Sequence, residues 1–171
     1  KEGGLDKAIC ALYLSDTWQD TKNSYHLVWQ ELQHQYDALS RHPEFLFAVE
    51  GGRLIHNNLS LLRDMRHLWG IKYLTLTHNR DIDWCSSATD NGQFPLTPFG
   101  VEVVRECEKI GVVVDVSHCS DPTIDSVLHV AERAVIASHS GAWTQLPHPR
   151  NLRDEQIKKI ARRIFGSRAS A

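Results

Sequence analysis

Four side chains that bind metals or move protons stand where short apolar runs stop. They are Glu50 after FLFAV, His78 after YLTLT, His118 after VVVDVS and His139 after AVIAS. The last two runs echo each other: VVVDVSHCS over 112–120 and AVIASHS over 134–140 both break off in Ser-His. Taken singly, each residue has an ordinary role, Glu50 as a salt-bridge partner and His78 as a cap. Taken together, one carboxylate and three imidazoles suit a divalent ion that prefers nitrogen and oxygen donors, zinc first. Glu50 is followed by Gly51-Gly52. A carboxylate ending an apolar strand, with space cleared behind it, is a poor structural choice unless a cation meets it. The chemistry such a set supports is metal-assisted hydrolysis, in which the ion acidifies a bound water and polarises a carbonyl. The spacing excludes the helical H-E-x-x-H zincins, and the sequence has neither a Gly-rich phosphate loop nor a G-x-S-x-G elbow.

The elements that must hold these residues follow from the same runs. A short β-branched stretch bounded by polar residues predicts a buried parallel strand, and strand, helix, strand in succession predicts a right-handed crossover between neighbours. Strands are expected at 8–14, 45–49 and 73–77 and within the two Ser-His runs. Helices are expected at 21–41, 58–69, 97–110, 121–133 and 154–163. Apolar residues recur at helical spacing at Leu27, Val28, Leu32, Tyr36 and Leu39, and again at Leu59, Leu61, Leu62, Met65 and Leu68. Asn58 and Thr97 are placed as N-caps, and Gly70 and Gly111 as helix ends. This strict alternation is α/β. Because chemistry-bearing residues end several successive strands, it predicts a partial TIM-type (β/α) barrel, about five parallel strand-helix units of eight. A five-stranded doubly wound sheet, the alternative, would gather them at one switch point. The polar loop 80–95 is either one wall of a pocket or a surface excursion.

With 171 residues, 42% hydrophobic and 23% charged, the chain fits one globular unit, expected as a single incomplete barrel domain over 1–171. Nineteen basic and 21 acidic residues give a formal charge of -2, and no basic stripe suggests nucleic acid. No apolar run is long enough to cross a bilayer. The four cysteines, Cys10, Cys85, Cys107 and Cys119, form no C-x-x-C pair, which points to reduced thiols and a reducing compartment such as the cytoplasm. Cys119, beside His118, could act as a further ligand but reads first as a buried thiol. His26, His34 and His42 read as solvated. The opening KEGGLDKA has no initiator methionine and reads as the middle of a longer protein. An open barrel exposes strand edges, which predicts self-association into a homo-oligomer.

Four segments, AVEGG, YLTLTHNRDIDW, LTPFGVEVVRECEKIGVVVDVSH and VIASHSGAW-x4-HPRNLRDEQ, resemble the membrane (renal-type) dipeptidases, zinc peptidases of family M19. The resemblance runs in register from about Gly3 to Ile160. It implies a metallo-dipeptidase that hydrolyses the peptide bond of dipeptides with two zinc ions. Carried over by position, it implies that Glu50 bridges the ions and that His118 and His139 complete the ligands of one. His78 would contact the substrate and steady the oxyanion, and Arg150 would hold the substrate carboxylate. The family's His-x-Asp pair would lie before Lys1, and its water-orienting aspartate after Ala171. The expectation is therefore that this stretch alone binds at most one zinc and is inactive, or is a non-catalytic truncated barrel.

Overall fold

In the computed structural model, which describes residues 6–21 and 24–166, five strands form one wholly parallel sheet in the order β1-β2-β3-β4-β5. They are β1 (Ala8–Tyr13), β2 (Phe45–Glu50), β3 (Tyr73–Thr75), β4 (Val113–Asp115) and β5 (Val135–Ile136). Between and after them run α1 (Asp16–Thr21), α2 (Tyr25–Leu39), α3 (Leu59–Trp69), α4 (Pro98–Ile110), α5 (Asp121–Val130) and α6 (Asp154–Gly166). A doubly wound sheet reverses its strand order partway, whereas here each strand pairs with its predecessor. Successive crossovers of one hand then stack the helices on one face, and the sheet is an arc of a (β/α) barrel.

Register explains which side chains face which way. Leu12, Val49, Leu74, Val114 and Val135 pair across all five strands in one row, each no more than 1% exposed, and form the floor of the core. The helices close over the core with Val28 and Leu32 of α2, Leu62 and Met65 of α3, Val103, Val104 and Cys107 of α4, and Ile124 and Val127 of α5. The next row, one residue on, is Tyr13, Glu50, Thr75, Asp115 and Ile136. Since side chains alternate along a strand, this mostly polar row lies on the opposite face, the barrel interior.

Local sequence sets the ends of the helices. Asn58 Oδ1 accepts from Ser60 N at 2.9 Å to start α3, and Thr97 Oγ1 accepts from Gly100 N at 3.4 Å to start α4. Gly70 and Gly111 end these helices in the left-handed region. Three expectations shift. The single helix over 21–41 is α1 and α2, with Lys22 and Asn23 outside the described residues. In α3 the buried stripe runs Leu62, Met65 and Trp69, which leaves Leu68 on its rim at 55% exposure, and Leu27 of α2 is likewise exposed. The stretch after Glu50 makes a short 3₁₀ turn (Gly52–Ile55) that the strand-helix pattern did not foretell.

The 80–95 loop is not a surface excursion. Trp84, Cys85, Ser86 and Ser87 are buried, and the loop clamps two strand ends. Ser87 Oγ donates to the carbonyl of His78 at 2.7 Å, and Ala88 N donates to that of His118 at 2.7 Å.

Candidate metal centre

Thr75, Asp115 and Ile136 are aligned across β3, β4 and β5, and His78, His118 and His139 each lie three residues beyond them. Equal distance past a common register, on strands about 4.8 Å apart, brings the three imidazoles to one level of one edge. Glu50, paired with Thr75, stands in the adjoining column. Two left-handed residues help aim them. Gly51, at φ 108°, turns the chain sharply after Glu50, and His118, at φ 72°, departs from the strand path in a conformation unusual for a residue with a Cβ.

The outcome is a tight set of donors. Glu50 Oε1 lies 3.2 Å from His118 Nε2 and 3.4 Å from His139 Nε2, and the two Nε2 atoms are 2.9 Å apart. Among the described residues, these three form the group whose ligand atoms converge. His118 Nδ1 lies 3.0 Å from Asn79 Oδ1, which can only accept, so Nδ1 carries the proton and Nε2 presents a lone pair to its two neighbours. A lone pair, a carboxylate oxygen and a third donor packed this closely repel each other unless a cation lies among them. Edges of 2.9–3.4 Å let one ion reach all three at ordinary zinc–nitrogen and zinc–oxygen lengths of about 2.0–2.2 Å. The residues therefore fit a zinc-like ion. The electrostatics agree in direction. With a proton on the rings in place of an ion, Glu50 is held below the usual carboxylate range chiefly by its hydrogen bond with His118, against the effect of burial, with the charge of His139 adding to the lowering. Burial pushes His118 below the ordinary imidazole value. Both shifts favour the deprotonated, ligand-ready forms.

His78 stands beside this group, not in it. Its ring centroid is 4.3 Å from that of His118, while its Nδ1 contacts Asp16 Oδ2 at 3.0 Å and the Tyr13 hydroxyl at 3.3 Å. Nδ1 is thus engaged from β1, and the other nitrogen is left for a ligand. Arg150, in the turn after Pro149, is half-buried, and its Nη1 is enclosed without a hydrogen-bond partner among the described residues. Its charge helps lower His118, so the guanidinium lies within electrostatic reach of that ring. Burial also pulls its own pKa down from the ordinary guanidinium value. Cys119 is buried against Cys85 and outside the donor group, and all four cysteines are free. His26, His34 and His42 are exposed.

Sequence reasoning missed the supports. Asn79, Tyr13 and Asp16 hold the imidazoles, and Asp16 had a visible signal: it lies three residues beyond the end of β1, the same offset as the three histidines.

Comparison with known proteins agrees with this fold. The curated "Uncharacterized dipeptidase C965.12" of Schizosaccharomyces pombe is 37% identical over 116 residues, 66% of this chain and 28% of that protein. The crystal structure of the probable dipeptidase PvdM from Pseudomonas aeruginosa superposes with a TM-score of 0.80 at 18% identity, over 92% of this chain and 48% of that one. A metallo peptidase from Rhodobacter sphaeroides, solved with a phosphinate mimic of the dipeptide L-Ala-D-Ala, gives 0.79 at 19% identity, over 95% and 60%. At these identities the two structures speak for the fold. The chain spans about a quarter of the curated relative's length and 48% and 60% of the two solved ones. The sequence profile of the Membrane dipeptidase family (Peptidase family M19) matches residues 13–163, nearly the whole chain, and the chain belongs to that family.

Proposed function

We propose that this chain carries half of a zinc dipeptidase site: the Glu50, His118 and His139 ligands, a substrate-facing histidine, His78, and a carboxylate anchor, Arg150. The observation that carries this reading is the donor triangle, with a lone pair of His118 aimed at both Glu50 and His139. Bound zinc would supply an acidified water and a polarised peptide carbonyl.

The chain's own residues would do the rest. Arg150 meets the free carboxylate of a dipeptide with the fork of its guanidinium, and its Nη1 is a donor with no partner among the described residues. A carboxylate held one residue from the scissile bond measures substrate length, which selects dipeptides over longer chains. His78, steadied at Nδ1 by Asp16 and Tyr13, keeps its other nitrogen for the substrate oxygen on which charge develops. Glu50, central in the donor set, could bridge to a second ion held by residues outside the described ones.

Because one group of three donors converges among the described residues, we expect the 171-residue chain to take up at most about one zinc and to hydrolyse dipeptides poorly by itself. Elemental analysis after metal loading and gel filtration tests this. Two tightly held zinc ions would refute the division of ligands proposed here, and none would refute the metal site.

A further inference from the structure

Asp115 is the last residue of β4, on the barrel-interior row, and is fully buried. Four neutral donors converge on its carboxylate. Oδ2 accepts from Thr75 Oγ1 on β3 at 2.6 Å and from Ser138 Oγ beyond β5 at 2.6 Å. Oδ1 accepts from Ser117 N at 3.1 Å and Ser138 N at 2.9 Å. A carboxylate has about four lone-pair positions, so these bonds saturate it. Burying such a charge is costly, and an apolar side chain would suit the strand better unless the carboxylate has a task.

The task follows from counting protons. Ser138 has one hydroxyl proton, and it goes to Asp115. Ser138 Oγ also lies 3.3 Å from Ser117 Oγ, whose proton is free to point at it, and toward His139 Nδ1 at 2.7 Å Ser138 Oγ can therefore only accept. His139 must carry its proton on Nδ1, and its lone pair stands on Nε2, facing Glu50 and His118. Ser117 Oγ accepts from His139 N at 3.0 Å, so the backbone of the same residue is pinned to β4 as well. His139 needs this support more than its partner does. It is 45% exposed and follows a strand of two residues at the edge of the sheet, whereas His118 is 7% exposed and clamped by Asn79 and Ala88.

We propose that Asp115, acting through Ser138, is a positioning residue that fixes the tautomer and direction of His139 as a metal ligand. A hydroxyl thus relays a carboxylate to an imidazole that cannot reach it directly. This inference rests on the metal reading above, and the test separates the two.

Zinc affinity of the whole chain is measured by competition with a chromophoric chelator, with the ring nitrogen on which His139 keeps its proton read by ¹⁵N NMR of the zinc-loaded protein. Ser138→Ala removes only the hydroxyl and leaves the backbone bonds to Asp115. It should weaken zinc binding about 10- to 100-fold and abolish the pure Nδ1–H form of His139. Its melting temperature should move by no more than about 2–4 °C, the shift expected for a loss near 1 kcal/mol in a chain of this size. Ser138→Thr, which restores the hydroxyl at an exposed position, should recover both the affinity and the tautomer. Unchanged affinity and tautomer in Ser138→Ala, with His139→Ala losing zinc, would overturn the relay and leave the metal site standing. Absence of zinc binding by the unmodified chain would overturn the metal site and the relay with it.

Discussion

Gly52→Ala isolates a cause that sequence and structure both point to, the space behind Glu50. Gly52 has an ordinary φ, so alanine meets no backbone penalty there and any effect must come from contact. A Cβ at that position would lie 2.3 Å from the Leu76 carbonyl oxygen and 2.5 Å from two ring atoms of Trp84, where ordinary contact begins near 3.4 Å. Neither neighbour can yield cheaply. The Leu76 carbonyl accepts the Gly52 N–H at 3.1 Å, and Trp84 is 1% exposed in the core. A shift of about an ångström would be forced on the turn that delivers Glu50. Overpacking of this kind costs about 1–3 kcal/mol, and a stretched backbone hydrogen bond about 1 more. At about 2–4 °C per kcal/mol for this size, the melting temperature should fall by roughly 5–15 °C. Zinc affinity should fall with it, because Glu50 moves out of the triangle. Gly111→Ala is the control: φ is 71°, nothing lies within 4 Å, and the position is remote from the donors, so about 1–2 kcal/mol of strain should leave zinc binding intact. A Gly52→Ala protein with an unchanged melting temperature and zinc affinity would refute the argument. A Gly111→Ala protein losing zinc equally would show that general destabilisation, not the position of Glu50, was being measured.

Two further outcomes follow from groups around the mouth. Arg150→Lys keeps the charge but loses the fork, so the zinc-loaded chain should bind a phosphinate dipeptide mimic on the order of tenfold more weakly by calorimetry. Zinc content should be unchanged, and a C-terminally amidated mimic should be indifferent to the substitution. Equal losses for both ligands would rule out carboxylate anchoring. Burial raises the Asp16 carboxyl, but the hydrogen bond and charge of His78, with help from Asn79 and Arg53, outweigh it and leave the folded value below the ordinary one. A depressed folded value means that this stabilisation is complete above the unfolded pKa, about 3.9, and is lost as pH falls through the folded one. Asp16→Asn, which still offers an oxygen to His78, should therefore flatten the acid limb of stability against pH measured by urea unfolding. An unaltered acid limb would place the acid sensitivity elsewhere.

The fold was legible because its strands are both buried and short. A row such as Leu12, Val49, Leu74, Val114 and Val135 needs an apolar residue at each position, and the flanking Gly, Asn and Thr-Pro signals mark where each helix starts or stops. What went unread depended on contacts between distant segments. Nothing local in 80–95 says that Trp84 fills the space beside Gly52, so a polar, Asp-rich stretch reads equally as a pocket wall or a surface excursion. The rim positions Leu27 and Leu68 were misplaced for a related reason: helical spacing gives a stripe, but its edges are drawn by what the neighbouring helix covers.

The proposed ligands were legible for a different reason than their supports. Glu50, His118 and His139 end apolar runs, where a chemically active side chain has no local excuse. Asp115 has none either, for it interrupts VVVDV with a charge, yet a pattern drawn from the ends of apolar runs passes over it, because the run continues to Val116 although β4 itself ends at Asp115. Its meaning appears only when the register sets Thr75 beside it on one side and Ile136, two residues before Ser138, on the other. A carboxylate inside an apolar run and a serine before the next strand's histidine therefore form one signal spread over two segments. Ser117 and Ser138 precede His118 and His139 alike, but Ser138 Oγ supports its own neighbour's ring while Ser117 Oγ holds the backbone of His139 across the sheet. The two Ser-His runs are thus alike in sequence and different in work, and that difference leaves His118 reliant on Asn79 and His139 on Asp115.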